Sequence, residues 1–122
     1  MAIRVSPTAA PKGSGTEEVT ITVTDEGGGG DTFKAKVFAS YDATHLRVDE
    51  TSFSPSNASK ESSQRSGGSQ IEWTTTSISQ NGEPCFSFSC SCLISGNPGF
   101  ACWVELEDGT TTEPVAIRLS CP

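Results

Sequence analysis

The sequence predicts an all-β protein, an antiparallel two-sheet β-sandwich of about seven or eight strands, on three observations. Apolar residues recur at every second position in short segments, which is the period of a half-buried strand. Gly, Pro, Asn and Asp cluster between those segments and mark turns. Ser and Thr number 18 and 14 in 122 residues while Met occurs once, and the runs of Ala, Leu, Glu and Lys that sustain a helix are missing. The length suits a single domain, residues 1–122, able to bury a core without staples. A closed barrel is the alternative arrangement of the same strands.

The first strand runs from Ala2 to Ser6 and is closed by Pro7, with Thr8 to Gly15 as its link to the next. Glu18 to Thr24 is the second, with Val19, Ile21 and Val23 on one face and Thr20, Thr22 and Thr24 on the other. Four glycines, Gly27 to Gly30, turn the chain into a third strand, Thr32 to Tyr41. There Phe33, Ala35, Val37, Ala39 and Tyr41 face inward, and Lys34, Lys36 and Ser40 face outward together with Phe38. After the turn at Asp42-Ala43-Thr44 comes a short strand, Leu46 to Val48. Residues 54–70 are Ser- and Gly-rich with no apolar side chain larger than Ala58, the composition of a flexible loop. Ile71 to Thr74 resumes strand character with Ile71 and Trp73 inward, and Asn81-Gly82 precedes the sixth strand, Cys85 to Leu93. Ser95 to Gly99 is a turn, Phe100 to Glu107 the seventh strand, and Asp108-Gly109 a hairpin signal. Val115, Ile117, Leu119 and Cys121 lie on the last strand. Inward residues from all eight supply one core, each large side chain contributing about 1.5–3 kcal/mol on burial.

Fifteen acidic against eight basic residues give a net charge of −7, and the basic residues are scattered. A polyanion would be repelled, so nucleic acid is not an expected partner. No apolar run is long enough for a membrane-spanning helix, and Met1 to Pro7 lacks the apolar core of a signal peptide. The expectation is therefore synthesis in a cytoplasm, without membrane insertion. Five cysteines, Cys85, Cys90, Cys92, Cys102 and Cys121, leave at least one thiol unpaired within a monomer. Their spacing does not follow the C-x2-C pairs of common zinc sites. They are read as core residues or disulfide candidates, with no metal and no cofactor.

The order of motifs resembles immunoglobulin-like domains of phage virion decoration proteins and bacterial surface-protein repeats. The likeness runs from Val5-Ser6-Pro7 through Glu18 to Thr24 and Ile71-Glu72-Trp73 to the closing Trp103 to Gly109. It implies an immunoglobulin-like sandwich and a structural, protein-binding role. The chain departs from antibody-type domains in having Ile21 where a core Cys would stand, and Trp73 later than the third strand.

No residue set forms a catalytic constellation. His45 is the single histidine and sits beside a turn, away from any strained nucleophile elbow. Asp25, Glu26 and Asp31 flank the glycines without the spacing of a calcium loop, and the glycines lack the Lys-Ser/Thr ending of a phosphate loop. Asn57-Ala58-Ser59 fits a glycosylation acceptor, which without a secretion signal carries no weight. Phe38 and Trp103 break the inward phase of the third and seventh strands; the immunoglobulin-like resemblance implies that those strands are neighbours in one sheet, so an exposed aromatic pair on one outer face is expected and the two are the candidate protein-contact residues. The resulting expectation is a non-enzymatic capsid decoration or cement protein of a virion, docked on a protein lattice and capable of self-association. An extracellular bacterial adhesion or surface-layer module is the alternative. A carbohydrate-binding module would need a row of exposed aromatics, and aromatics make up 7% of the chain.

Overall fold

The computed structural model describes residues 3–13, 15–25, 32–54, 58–62, 68–79 and 85–121, with side-chain detail for 3–13, 15–24, 34–54, 69–73 and 86–121. Among the described residues there are nine strands and no helix. They are β1 (Ile3–Gly13), β2 (Thr16–Asp25), β3 (Thr32–Asp42), β4 (Leu46–Ser54), β5 (Ala58–Ser62), β6 (Gly68–Ser79), β7 (Cys85–Cys92), β8 (Gly99–Leu106) and β9 (Val115–Arg118). Two antiparallel sheets result, ordered β1-β2-β7-β4 and β5-β6-β3-β8-β9. The architecture is a β-sandwich, and the barrel alternative is set aside because the strands fall into two separate sheets.

Alternation explains why the sheets stack. The four-stranded sheet sends Val5, Val19, Ile21, Val23, Leu46, Val48, Phe86, Phe88 and Cys90 into the core. The five-stranded sheet answers with Ala35, Val37, Ala39, Tyr41, Ile71, Trp73, Phe100, Cys102 and Val104. Trp73 is fully buried, with the rings of Phe53, Phe86 and Phe88 at centroid distances of 6.0, 5.6 and 6.1 Å. Edge-on and tilted arrangements of this kind suit the ring quadrupoles. Phe88 also meets Phe100 at 5.2 Å, so aromatic contacts bridge both sheets along the core axis.

Four features differ from the sequence-based expectation. Pro7 does not close the first strand: β1 continues through Pro7 and Pro11 to Gly13. A strand tolerates proline where its missing N–H would face away from the neighbour, and β1 is the sheet edge with β2 on one side only. The stretch 54–70 is not a plain loop, because residues 58–62 form β5 against β6 and β6 itself starts at Gly68. Backbone pairing needs no apolar side chain, so composition concealed it. β4 extends past Val48 to Ser54, with a register irregularity between Asp49 and Ser54. The last strand ends at Arg118, after which Leu119 and Cys121 stay buried outside any strand, Cys121 in an isolated bridge with Gly96. The glycine run 27–30, the acidic side chains at 25, 26 and 31, Asn57, the pair Asn81-Gly82 and the Phe33 side chain lie outside the described residues or side chains.

Turn chemistry sets the connections. Gly15, with φ of 73°, occupies the left-handed region in the turn that lets Thr16 pair back onto Gly13. Gly109, with φ of 88°, does the same after Leu106 and donates its N–H to the Leu106 carbonyl at 2.9 Å. This hairpin returns the chain to pair Thr111 with Glu105 before β9 begins.

A disulfide joins Cys92, at the end of β7, to Cys121, and so ties the four-stranded sheet to the segment that follows β9. Reciprocal backbone bonds of 2.9 Å between Gly96 and Cys121 hold the same segment. Closing a loop with a sequence separation of 29 residues restricts the unfolded chain, a stabilisation of about 3–4 kcal/mol. Urea unfolding of Cys121→Ser is therefore expected to show the same fold with a loss of about that size, matched by reduced wild-type protein. A loss under about 1 kcal/mol would contradict the staple.

Candidate functional site

The outer face of the five-stranded sheet carries an aromatic pair that core formation does not require. On β3 the inward residues are Ala35, Val37, Ala39 and Tyr41, and on β8 they are Phe100, Cys102 and Val104. Phe38 and Trp103 have the opposite parity, and the register pairs them directly across the two strands. Their rings stack at 5.3 Å with planes inclined by 12°. Phe38 is only 7% exposed and Trp103 is half-buried, so Trp103 is the ring that meets solvent. The expectation of two exposed rings is corrected to one exposed ring lying on a covered one. Burial under a neighbouring ring, outside the core cluster, accounts for Phe38.

Polar and small residues frame the pair. Glu72 of β6 stands beside Phe38 in register, and its carboxylate lies 3.7 Å from the Lys36 ammonium. Lys36 is also opposite Glu105 across β8. In the other direction along the strands, Ser40 pairs with Ala101 and Ala101 with Ala116, a row of small side chains. The surface is thus a flat apolar step with charges on one border, a composition suited to contact rather than to proton or group transfer. The Lys36–Glu72 pair is half-exposed and contributes little to stability. The outward phase of Lys36 and Phe38 was readable in the alternation, whereas Glu72 becomes a neighbour only through strand pairing.

The remaining sequence candidates separate into structural roles. His45 Nδ1 lies 2.9 Å from Asp42 Oδ2 and 3.2 Å from the Thr44 hydroxyl. The Thr44 hydroxyl donates to Asp42 Oδ1 at 2.6 Å. Both partners meet the same imidazole nitrogen, so no relay links a nucleophile through the ring to a carboxylate. The trio closes the β3–β4 turn, with the His45 N–H donating to the Asp42 carbonyl at 3.1 Å. Of the cysteines, Cys92 and Cys121 form the disulfide while Cys90 and Cys102 are buried thiols on opposite sheets. The Cys85 side chain is outside the described set. Burial pushes the Cys90 thiol up to about 11, aided by the Glu17 charge, and the Cys102 thiol up to about 12. Among the described residues no three His, Cys, Asp or Glu side chains converge as a metal site.

One recurrent device escaped the reading of the sequence. Asp42-Ala43-Thr44, Asp49-Glu50-Thr51 and Asp108-Gly109-Thr110 repeat the pattern Asp-x-Thr. In each the aspartate accepts the N–H of the threonine two residues on, at 2.9 Å. These are side-chain turns that mimic a backbone turn. The Thr44 hydroxyl and amide hold the Asp42 carboxyl below its ordinary value, Thr51 does so for Asp49, and the Thr110 amide leads for Asp108.

Comparison with known proteins comes from structure alone. No family model and no curated protein matches the sequence. The fold is similar to that of a cohesin module from a Clostridium perfringens family 33 glycoside hydrolase, with a TM-score of 0.59 over 98% of this chain and 94% of that one at 14% identity. MtrC from Shewanella baltica also matches, with a TM-score of 0.31 and 11% identity, over 99% of this chain and 22% of that one. The first match shows a shared β-sandwich fold.

Two outcomes follow from the titrating groups. Because the three aspartates titrate lower when folded than when unfolded, the unfolded chain binds more protons as pH falls, and stability drops through their folded values. Urea unfolding from about pH 5 down to about pH 2 should show a shallower decline in the triple variant Asp42→Asn, Asp49→Asn, Asp108→Asn than in wild type. Parallel curves would contradict the assignment. At about pH 8, Cys90 and Cys102 should alkylate far more slowly in the folded protein than in the unfolded chain, since neither is exposed nor a thiolate. Equal rates would place them at the surface.

Proposed function

We propose that this domain is a non-catalytic protein-binding module that docks through the outer face of its five-stranded sheet, with Trp103 as the central contact and Phe38 as the ring that holds it flat. The observation that carries the reading is the stacked pair at 5.3 Å, placed outside the core. An aromatic anchor in a polar frame has the make-up of an interface hot spot. The likeness to a cohesin module supports an interaction role over an enzymatic one. A repeated protein lattice is the partner that suits a single docking face, because every lattice subunit offers the same epitope.

Two lattices are candidates, a bacterial surface layer and a viral capsid. The Cys92–Cys121 disulfide favours the first, since such bonds persist where the surroundings are oxidising and are rare in a reducing cytoplasm. The reading is therefore an extracellular adhesion or surface-layer module, with capsid decoration as the second form of the same docking mode.

The test is co-sedimentation of the purified domain with cell envelopes of its source organism and, separately, with virions propagated in it. Trp103→Ser should leave the domain folded and remove most of the bound fraction. Retention of binding by Trp103→Ser, or no binding to either particle, would refute the proposal, and unfolding of the variant would return Trp103 to a structural role.

A further inference from the structure

The disulfide joins two points that the strand ladders place on different sheets. The chain enters the fold at Ile3, the start of β1 in the four-stranded sheet, whereas the segment ending at Cys121 follows β9 of the five-stranded sheet. Backbone hydrogen bonds join the strands of each sheet, and the two sheets face each other through the side chains of the core. A pull between Ile3 and Cys121 would therefore load the contact between sheets together with β9. That strand has four residues, paired with β8 from Gly99 with Arg118 to Cys102 with Val115. The disulfide offers another route, because Cys92 ends β7 and β7 lies in the same sheet as β1.

Ile3 and Cys92 stand at opposite ends of that sheet. Ile3 pairs with Asp25, at the end where β7 begins. Cys92 is at the other end, where its N–H donates to the Gly15 carbonyl at 2.9 Å in the turn between β1 and β2. Strand rise and spacing put the two points about 33 Å apart along the strands and about 10 Å apart across them. Tension between them thus runs nearly parallel to β1, β2 and β7, and it shears ladders whose hydrogen bonds lie across the pull and share the load. The register is continuous from Ile3 with Asp25 to Pro11 with Glu17, and from Thr16 with Ser91 to Thr22 with Cys85. Pro7 and Pro11 do not weaken this clamp. A proline on an edge strand sits where no donor is needed, so the alternate pairs, Ser6 with Thr22 among them, carry the hydrogen bonds.

We propose that the Cys92–Cys121 disulfide is a load-transfer device. Tension applied through the two ends of the chain passes from β1 through β2 to β7 and out across the sulfurs, leaving residues 93–120, with β8 and β9, unloaded. Trp103 lies on β8, so the same bond keeps that ring on an element that bears no tension. The device does not depend on what the Phe38–Trp103 face binds. Its route is set by redox state. A dithiol passes two electrons and two protons to the bond, frees Cys92 and Cys121 as thiols and closes to its own disulfide. Tension then reaches β9 first. There the segment after β9 is held by the reciprocal backbone bonds of Gly96 with Cys121, by the Leu119 N–H donating to the Pro98 carbonyl at 2.8 Å, and by burial of Leu119.

The test stretches the full chain in optical tweezers, by handles joined before residue 1 and after residue 122. The oxidised chain should stay whole up to a single rupture. After treatment with dithiothreitol, and equally in Cys121→Ser, a weaker first step should appear as residues 115–121 leave β8. The fully stretched chain should also lengthen by about 90–100 Å, the reach of the 29-residue separation that the bond had closed. Ser6→Pro removes a β1 donor to β2, and it should lower the oxidised rupture force while leaving the weak first step of the reduced chain where it was. The comparison of oxidised with reduced wild type stands without any variant. A weak first step in the oxidised chain as well, or rupture of the reduced chain in one step at the oxidised force, overturns the proposal. So does an oxidised rupture force that folded Ser6→Pro leaves unchanged.

Discussion

Every strand that contributes to the core does so with alternate residues, and the two inward sets must be apolar at the same time. That constraint fixes the rest. Once Val19, Ile21 and Val23 of β2 and Phe86 and Phe88 of β7 share a face, burial of that face requires the facing Ala39, Ile71, Trp73 and Val104. The hydrophobic effect is non-directional, so the specificity comes from packing: one Trp among Phe53, Phe86 and Phe88 leaves few ways to place the sheets. A consequence for function is that residues of opposite parity are released from structural duty.

The two outer faces use that freedom differently. On the four-stranded sheet it is taken up by hydroxyls, with Thr20 beside Ser87 and Thr16 beside Ser91 in register. Lys12 donates to the Ser89 hydroxyl at 3.1 Å in the same sheet. On the five-stranded sheet it supports the stacked rings and their charged border. Between the faces run the edges, where β1 carries Pro7 and Pro11, β5 and β9 are short and β4 is irregular. The cysteines follow the same logic. Cys90 and Cys102 lie in the core where burial keeps them protonated, and the disulfide of Cys92 with the buried Cys121 ties the end of β7 to the segment after β9.

Much of this was legible in the alternation alone: the sandwich class, the inward set and the outward parity of Phe38 and Trp103. What escaped reading depended on backbone relations. β5 contains no apolar residue larger than Ala58 and is defined by its bonds to β6. β1 continues through Pro7 because it has a neighbour on one side only. On β6, Ile71 and Trp73 are odd-numbered and Ile78 even-numbered, which broke the pattern at Thr74. An extra residue on β6, between the pairs Val37–Trp73 and Ala35–Thr76, absorbs that change of phase. Beyond the adjacency of the Phe38 and Trp103 strands, which the resemblance implied and the pairing of β3 with β8 shows, strand order was not readable, so the proximity of Glu72 to Phe38 and the choice of Cys92 with Cys121 as the bonded pair had to come from the fold.

The central claim is that parity alone separates core from working surface, and the two tryptophans are its natural controls, one on each side of the same sheet. Urea unfolding of Trp73→Ala and Trp103→Ala compares them directly. Trp73→Ala should cost about 3–5 kcal/mol, the range for removing a buried large aromatic, and Trp103→Ala about 1 kcal/mol, the scale of a single aromatic pair. Equal losses, or a greater loss at Trp103, would contradict the account.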